Sequence, residues 1–373
     1  MDLYGGAETL IVQLARYLER RGVENNILTL SAAPIKEYEN LNIITPPKEV
    51  DWKLRGERVL DALGVFRGAK ILRNLVLHHV DDSDVLNPHN FPAVWAIPAN
   101  RKRVVWMCNE IPDLWHSLNP SILIRGTVCF GRLVDRLIVN RTVHKAVVSD
   151  RKNAFLFQRR YGWYPEIIPY GVEGSFFAQK PTKSEEEKVR SKYEFEHDGF
   201  YVIHVGMISP SKNQFETIRA VEKLRQSIPK IRAILAGYKK SHYASFLERY
   251  IENKRMGYNI IFAGHITKQE LRALYNVCHV AVFPVKGQGS WLSPFEALAT
   301  GVPVIVSPEL SCSTLIREKD VGTVTNSLEN ALLDVHEHYS YFLQKAYEGR
   351  KFVLENLTWR NFCEKFSKIL FSV

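Results

Sequence analysis

Residues 287–308 read GQGSWLSPFEALATGVPVIVSP: a loop with two glycines, then a short helical pattern and an apolar strand. Ser293 is a good N-cap, Pro294 suits a first helical turn and Glu296 follows the cap at the spacing of a capping box. We expect Gly301 to end this helix after about two turns. The helix start then allows two interpretations, a purely structural cap or a set of amides that holds an anion.

Apolar strand-like runs alternate with amphipathic stretches along the rest of the chain. These runs are NNILTL, DVLNP, RVVWMC, KAVVSD, PEIIPYGV, FYVIHVGMI, IRAILAG, NIIFAG, VAVFPV and VPVIVS. Helical periodicity is clear in AETLIVQLARYLERRG, where Gly22 is the expected C-terminal cap. Such alternation is typical of parallel sheets covered by helices on both faces. The sequence therefore predicts an α/β protein built from two doubly wound, Rossmann-like domains.

The alternation stops over residues 174–199, which are polar and charged, and resumes with a strand near residue 200. We therefore expect a junction within residues 173–195 and two domains, 1–175 and 176–356. The chain opens as MDLYGGAETL, already in a glycine loop. A doubly wound domain normally begins with a buried strand ahead of that loop. We therefore expect the first strand of the N-terminal domain to be truncated.

Composition restricts the functional classes. With 46% hydrophobic and 24% charged residues, the chain has the composition of a globular protein. No apolar run approaches the roughly 18 residues of a membrane span, and no signal-peptide pattern is visible. The five cysteines are scattered and form no C-x-x-C pair, which indicates a reducing, cytoplasmic environment and no zinc site: Cys108, Cys129, Cys278, Cys312 and Cys363.

Positive charge is concentrated in residues 101–160, where twelve Lys and Arg stand against four Asp and Glu. Apolar residues are interleaved with these charges in SILIRGTVCFGRLVDRLIV and FLFQRRYGWY. The segment is either a solvated face or a surface for a phosphorylated ligand or an anionic membrane. No helix-turn-helix, zinc or aromatic-platform signature accompanies it, so we expect no nucleic-acid partner.

Glycine or polar residues lie directly after several of the predicted strands or at the starts of predicted helices. Each has an ordinary structural alternative, such as a tight turn, a solvated charge or a cap. Because carboxyl ends of parallel strands share one sheet edge, we expect these residues to line a cleft between two facing sheets that binds a phosphorylated ligand. The candidates are Gly5, Gly6, His89, Asn109, Glu110, Lys212 and Glu296.

The chain resembles family 4 glycosyltransferases in the segments GGAETL, LARYLERRGV, IIPYGVE, HVGMISPSKNQFETIRAV, ELRALYNVCHVAVFPV and SWLSPFEALATGVPVIVS. The resemblance runs from residue 5 to the terminal LTWRNFCEKFSKIL. It implies a retaining enzyme with the two-domain B-type glycosyltransferase fold. The first domain would be the acceptor side, completed by a C-terminal helix at 357–373, and the second would bind a nucleotide-sugar. No metal or other cofactor is expected in this family.

The resemblance also implies roles for individual residues. Glu296 corresponds to the second glutamate of an E-x7-E motif, which binds the ribose hydroxyls. The amides of Leu292 and Ser293 would hold the diphosphate together with Lys212 and the Gly5-Gly6 loop. His89 would lie beside the transferred sugar, with Lys212 and Gln288 completing the catalytic set. Further donor-side residues would be Met207, His265, Ile266 and Ser290, and acceptor-side residues would be Asn109 and Glu110.

Three positions depart from the family pattern. Gln288 stands where the first glutamate of E-x7-E is expected, Met207 where an arginine is expected, and Ser311-Cys312 where a glycine pair is common. Glutamine carries no negative charge to stabilise a developing oxocarbenium ion. The missing arginine removes a charge-assisted contact worth roughly 1.5–3 kcal/mol, although a nearby basic residue can substitute.

The leading hypothesis is hexose transfer from a nucleotide-diphosphate sugar to a hydroxyl of a lipid-linked or cell-surface glycan. The alternative is a non-catalytic nucleotide-sugar-binding protein or partner subunit of the same fold, which the departures at Met207 and Gln288 would favour. The basic segment 101–160 adds the expectation of a cytoplasmic protein that is peripheral on the inner face of the membrane.

Overall fold

A computed structural model describes residues 6–47, 60–81, 83–99, 102–111, 122–239, 242–287, 289 and 291–372, with the side chains of 60–65 and 122–129 excepted. The chain divides into two compact units. The N-terminal unit comprises residues 1–170 and 360–373, and the C-terminal unit comprises residues 171–359. The expected truncation of the first strand concerns residues that lie outside the described ones.

The N-terminal unit contains a parallel sheet of four strands in the order β3-β4-β5-β6 and a separate parallel pair, β1-β2. Its elements up to residue 170 are α1 (Gly6–Glu19), β1 (Ile27–Leu28), a 3₁₀ turn (Lys36–Tyr38), β2 (Ile43–Ile44), α2 (Leu60–His79), β3 (Val85–Leu86), α3 (Ala93–Ala96), β4 (Arg103–Met107), α4 (Ile122–Thr142), β5 (Lys145–Val148), α5 (Arg151–Tyr161) and β6 (Glu166–Ile167).

A buried carboxylate connects three helices of this unit. Asp135 of α4 is fully buried and accepts hydrogen bonds from Trp95 Nε1 of α3 at 2.8 Å and from Tyr161 OH of α5 at 2.9 Å. Arg160 of α5 donates to the same carboxylate at 3.0 Å and provides the balancing charge. A buried carboxylate is tolerated only with such partners, so this cluster fixes how α3, α4 and α5 lie together.

The C-terminal unit contains a six-stranded sheet in which every neighbouring pair is parallel. The elements from residue 171 onward are α6 (Gly174–Phe177), α7 (Lys183–Lys192), β7 (Phe200–Val205), α8 (Gln214–Leu224), β8 (Ile231–Ala236), α9 (His242–Asn253), β9 (Ile260–Gly264), α10 (Lys268–Val277), β10 (Val280–Phe283), α11 (Leu292–Thr300), β11 (Val304–Val306), α12 (Ser313–Lys319), β12 (Thr323–Val324), α13 (Leu328–Glu337), α14 (Tyr339–Asn356) and α15 (Trp359–Phe371).

The strand order of this sheet is β12-β11-β10-β7-β8-β9, which is the Rossmann order. The order reverses between β7 and β10, which pair through Val280 with Val202 and Ala281 with Ile203. All six residues of β8 and all four of β10 are buried, as expected for strands covered on both faces. The prediction of two α/β units with parallel sheets is therefore confirmed.

Each of the ten predicted strand runs contains a strand, whereas β2 and β12 were not predicted. Both are only two residues long, as are the predicted β1, β3 and β6, so length alone does not explain the omission. Gly22 has the expected left-handed φ of +74°, although α1 already ends at Glu19. The polar segment after residue 174 forms the helices α6 and α7. A capping box between Thr182 and Glu185 starts α7.

The C-terminal helix α15 belongs to the N-terminal unit from residue 360 onward. Phe362 and Phe366 on its inner face are buried. Arg103 at the start of β4 donates to the carbonyl of Ile369 at 3.1 Å, and Lys145 at the start of β5 donates to Ser372 Oγ at 2.9 Å. The helix therefore closes the amino end of this sheet. Among the described helices, none is long and apolar enough to cross a membrane.

Candidate functional site

The carboxyl ends of β7 and β10 form a crevice in the C-terminal unit. The helices that follow these two strands lie in different layers, since α8 contacts α13 whereas α11 contacts α14 and α6. The connecting loops therefore diverge at the point where the strand order reverses. In open α/β sheets this reversal is the usual ligand site. The predicted residues Met207, Lys212, Leu292, Ser293 and Glu296 all lie on these two loops or at the helix starts that follow them.

Glycines let the first of these loops lie close to its neighbour. Gly206 follows β7 with φ +153°, and its amide donates to the Ala236 carbonyl at 2.9 Å. Gly237 follows β8, and a Cβ at this position would lie only 2.0 Å from the Gly206 carbonyl oxygen. The loop after β7 can therefore keep its course only because residue 237 has no side chain.

Lys212 is held beside this loop. A Cβ added to Gly206 would lie 3.4 Å from Lys212 Cγ, so the half-buried stem of the lysine covers the glycine. Beneath it, the Nδ1 atom of buried His204 is hydrogen-bonded to Thr217 Oγ1 at 2.8 Å. Burial, followed by the charge of Lys212, lowers the pKa of His204 to about 3. His204 is therefore neutral at physiological pH, and Lys212 supplies the positive charge here.

The prediction of a capping box at Ser293 is wrong. Helix α11 begins one residue earlier, at Leu292, with Trp291 as the N-cap residue and no side-chain hydrogen bond to the cap. Trp291 already has helical dihedrals, and its ring lies 4.6 Å from that of Phe295. Ser293 is therefore the second helical residue, and its amide, with that of Leu292, lies in the first turn, where amides have no partner within the helix. The predicted end of the helix at Gly301 is confirmed by its left-handed φ of +89°.

Glu296 lies one turn into α11, and its side chain is half-buried. Burial, followed by the negative charge of Glu173, raises its pKa to about 7, which the positive charge of Lys268 partly opposes. Glu173 and Lys268 form an ion pair of their own, with Nζ and Oε1 2.8 Å apart. Near neutral pH, Glu296 therefore exists in both protonation states and can either donate or accept hydrogen bonds.

The other predicted donor-side residues occupy the same edge of the sheet. Met207, directly after Gly206, exposes 57% of its surface. His265, which is exposed, and Ile266, which is half-buried, follow β9 and precede the Thr267 cap of α10. Met207 thus puts an exposed apolar side chain in the crevice, at the position where the family pattern has an arginine. Of the remaining predictions, Gly6 starts α1, whereas Gly5, Gln288 and Ser290 lie outside the described residues.

His89 lies at the carboxyl edge of the sheet in the N-terminal unit, beside Met107 of β4. Its Nε2 atom is 2.8 Å from Asn87 Oδ1, and its buried Nδ1 has no hydrogen-bond partner among the described residues. Burial lowers the pKa of His89 to about 4, so the ring is neutral at physiological pH. One ring nitrogen is therefore available to a ligand hydroxyl.

Asn109 belongs to a hydrogen-bonded group at this edge. Its Oδ1 accepts from Tyr170 OH at 2.7 Å, and its amide donates to Asn90 Oδ1. Glu110, the next residue, is exposed. Asn90 and Tyr170 were not predicted as site residues. The PYGV segment that contains Tyr170 offered a signal, because it ends the predicted strand run PEIIPYGV and follows β6.

Sequence reasoning also missed Glu173, Lys268 and Lys286 in the C-terminal unit. Glu173 and Lys268 are distant in sequence, and only the folded chain brings their charges beside Glu296. Lys286 follows β10 and directly precedes the quoted stretch 287–308, and a single exposed lysine there is no signal by itself. Within the described part of the chain, no group of three or more His, Cys, Asp or Glu residues could hold a metal ion.

Comparisons with known families match both units. The family described as Glycosyltransferase Family 4 matches residues 4–173, and the one described as Glycosyl transferases group 1 matches residues 185–333. The chain is also similar to the alpha-monoglucosyldiacylglycerol synthase of Streptococcus pneumoniae. The two are 23% identical over 364 residues, which cover 92% of this chain and 79% of the relative.

Two solved structures have the same fold. Sucrose-phosphate synthase from Thermosynechococcus elongatus aligns with a TM-score of 0.79 at 16% identity, covering 98% of this chain and 92% of that protein. The HepE protein of Anabaena, in complex with UDP and glucose, aligns with a TM-score of 0.76 at 17% identity, covering 99% and 96%. At such identities the likeness establishes the B-type glycosyltransferase fold.

The close approach at Gly237 yields a stability prediction. Gly237→Ala places a Cβ against the Gly206 carbonyl oxygen, so we expect a loss of about 1–3 kcal/mol in the free energy of unfolding. Gly257→Ala is the matched control, because a Cβ there meets no atom within 4 Å. Urea denaturation of both variants measures the difference. Equal stability of the two variants would contradict the tight approach of the two loops.

Proposed function

Because the chain belongs to the family 4 glycosyltransferases, we propose that it moves a hexose from a nucleotide-diphosphate sugar to an acceptor hydroxyl. We further propose that the transfer retains the anomeric configuration and needs no metal ion. The observation that carries the proposal is the crevice between β7 and β10. Lys212 lies on one side of this crevice, and the first turn of α11 with Glu296 lies on the other.

The donor diphosphate would bind between these two sides. The amides of Leu292 and Ser293 have no partner within the helix, and helix starts favour anions. Lys212 would add a charge-assisted contact worth about 1.5–3 kcal/mol. Glu296 would accept hydrogen bonds from the ribose hydroxyls, and His265 and Ile266 would border the base. Gly5, Gly6 and Ser290 keep their proposed donor-side role.

The chemistry requires the diphosphate to leave the anomeric carbon as the acceptor oxygen attacks it from the same face. The departing phosphate oxygen takes the proton from the acceptor hydroxyl, so the charges balance without a metal ion. Positive charge and amides at the phosphates stabilise the leaving group as its negative charge grows. We assign hydrogen bonding of the transferred sugar to neutral His89 and to Gln288, and acceptor binding to Asn109 and Glu110.

A lipid-linked acceptor is favoured by an exposed apolar stripe on α4. Phe130, Leu133 and Leu137 expose 68%, 55% and 47% of their surfaces, and their spacing puts them on one helix face. The opposite face is anchored in the core by fully buried Asp135 and Val139. Exposed arginines at 132 and 136 flank the stripe. Such a helix suits an anionic lipid surface, and the name of the streptococcal relative states a glucosyl lipid as its product.

The protonation state of Glu296 makes donor binding depend on pH. Ribose hydroxyls donate to the ionised carboxylate, whose pKa in the free protein is about 7. Affinity for the matching nucleotide-sugar should therefore rise with pH up to about 7, by at most tenfold per unit, and binding below this pH should release a proton.

Calorimetry of UDP-, GDP-, ADP- and dTDP-hexoses in two buffers of different ionisation enthalpy measures the proton release. An esterified diphosphate does not itself titrate in this range, so the donor adds no proton of its own. Glu296→Gln is the control and should bind with no pH dependence. The same proton release in wild type and variant would remove Glu296 from the donor site.

Turnover separates catalysis from the non-catalytic alternative. With the nucleotide-sugar that binds, we expect NMR of the product to show the anomeric configuration of the donor, and chelation by EDTA to leave the rate unchanged. Lys212→Ala should lower kcat/KM by about ten- to a hundredfold, because it removes a charge-assisted phosphate contact. Binding without any transfer, over a range of acceptor lipids and glycans, would favour a non-catalytic subunit, which the apolar Met207 already makes the second candidate.

Membrane docking can be tested separately from transfer. Phe130→Ser combined with Leu133→Ser should weaken co-sedimentation with phosphatidylglycerol vesicles by at least tenfold, because each buried side chain contributes about 1.5–3 kcal/mol. Tyr347→Ser is the control, since Tyr347 is equally exposed but lies in the C-terminal unit. Equal binding to neutral phosphatidylcholine vesicles, or binding that salt does not weaken, would argue against an anionic membrane surface.

A further inference from the structure

The two loops of the crevice are joined by hydrogen bonds. The amide of Lys286, after β10, donates to the carbonyl of Ser211 at 2.8 Å. In the other direction, Asn213 Nδ2 donates to the carbonyl of Pro284 at 3.0 Å. Asn213 is buried and has a left-handed φ of +57°, so this junction is a fixed part of the structure. Lys286 is therefore held next to the loop that carries Lys212.

The two lysines differ in their surroundings. The stem of Lys212 is half-buried against Gly206, whereas Lys286 is exposed. Lys286 also lines a cavity of about 170 Å³ together with Asn213 and Ser307. The cavity leaves room for its flexible four-carbon stem to move. The flexible stem therefore lets the exposed ammonium group take more than one orientation.

Lys286 is the exposed cation best placed to compensate for Met207. Lys239, which follows β8 at the same edge, already forms an ion pair with Glu248 and lies 4.4 Å from the ring centroid of Phe262. Lys268 is paired with Glu173. Lys286 forms no ion pair with any described carboxylate, although Glu216 and Glu309 line the same cavity.

We propose that Lys286 binds the donor diphosphate together with Lys212 and supplies the positive charge that Met207 does not. The assignment rests on the proposed donor site and adds one residue to it. Two cations on the loops that follow β7 and β10 would contact the diphosphate from both sides. The competing role for Lys286 is purely local, as a counter-charge for Glu216 and Glu309 at the cavity.

The experiment compares Lys286→Met with Lys239→Met, a lysine at the same sheet edge whose charge is already paired. Affinities are measured by calorimetry for UDP, GDP, ADP and dTDP and for the four corresponding monophosphates. We expect Lys286→Met to weaken binding of the matching diphosphate by about tenfold or more, and that of the monophosphate by less. Lys239→Met should bind both like the wild type.

A second variant tests the compensation directly. Adding Met207→Arg to Lys286→Met should restore most of the lost diphosphate affinity, because it returns a cation to the crevice from the neighbouring loop. The melting temperature without ligand shows that each variant is folded. Met207→Arg in the wild-type background should gain less affinity than in Lys286→Met, whereas equal gains would mean that the two positions do not substitute for each other.

The outcomes separate this assignment from the function on which it rests. If the wild type binds none of the diphosphates, the proposed donor site and the role of Lys286 both fail. If the wild type binds but Lys286→Met binds equally well, or loses no more than Lys239→Met, the donor site stands and the assignment is wrong. Failure of Met207→Arg to restore binding would also overturn it.

Discussion

The reversal of strand order between β7 and β10 is the constraint on which the candidate site depends. A parallel sheet with apolar residues on both faces needs helices on both faces, and right-handed crossovers put the helices on one face until the strand order reverses. Where the order reverses, the following helices α8 and α11 belong to different layers, and the loops leading to them diverge. The crevice is therefore a consequence of packing apolar strands. Residues on its rim can change without loss of the sheet beneath them.

Electrostatics then decides what this crevice can hold. Its hydrogen bonds come from backbone amides, its positive charge comes from lysine, and the buried histidine beneath Lys212 is neutral. The carboxyl group of Glu296 lies close to an ion pair and is only partly ionised near neutral pH. An ionised carboxylate accepts hydroxyl hydrogen bonds but also repels a diphosphate, so its charge in the complex has to be balanced by Lys212 and the amides at the start of α11. The raised pKa is therefore compatible with an anionic ligand next to an acidic side chain.

Sequence reasoning predicted the longer apolar strands and also the two-residue strands β1, β3 and β6, but it missed β2 and β12, which carry no periodic signal of their own. It placed Lys212 and Glu296 on the correct loop and helix, since both follow strongly apolar strands. It misassigned the cap of α11, because Trp291 already has helical dihedrals and packs against Phe295, so the helix begins before Ser293. Lys286 and Glu173 matter only through contacts between segments distant in sequence, and a single sequence contains no signal for such contacts.

The N-terminal unit shows a different chemistry at the corresponding edge of its own sheet. Apart from exposed Glu110, the candidate groups there are neutral: His89, whose pKa is lowered by burial, and the hydrogen-bonded Asn90, Asn109 and Tyr170. Neutral donors and acceptors suit sugar hydroxyls. A charged side chain at this edge would lose its hydration on binding, and an uncharged sugar offers no opposite charge to compensate. Cationic groups are needed only where a diphosphate binds and departs. One architecture, used twice, can therefore provide a charged edge for a leaving group and a neutral edge for hydroxyls, with the difference set by a few loop residues.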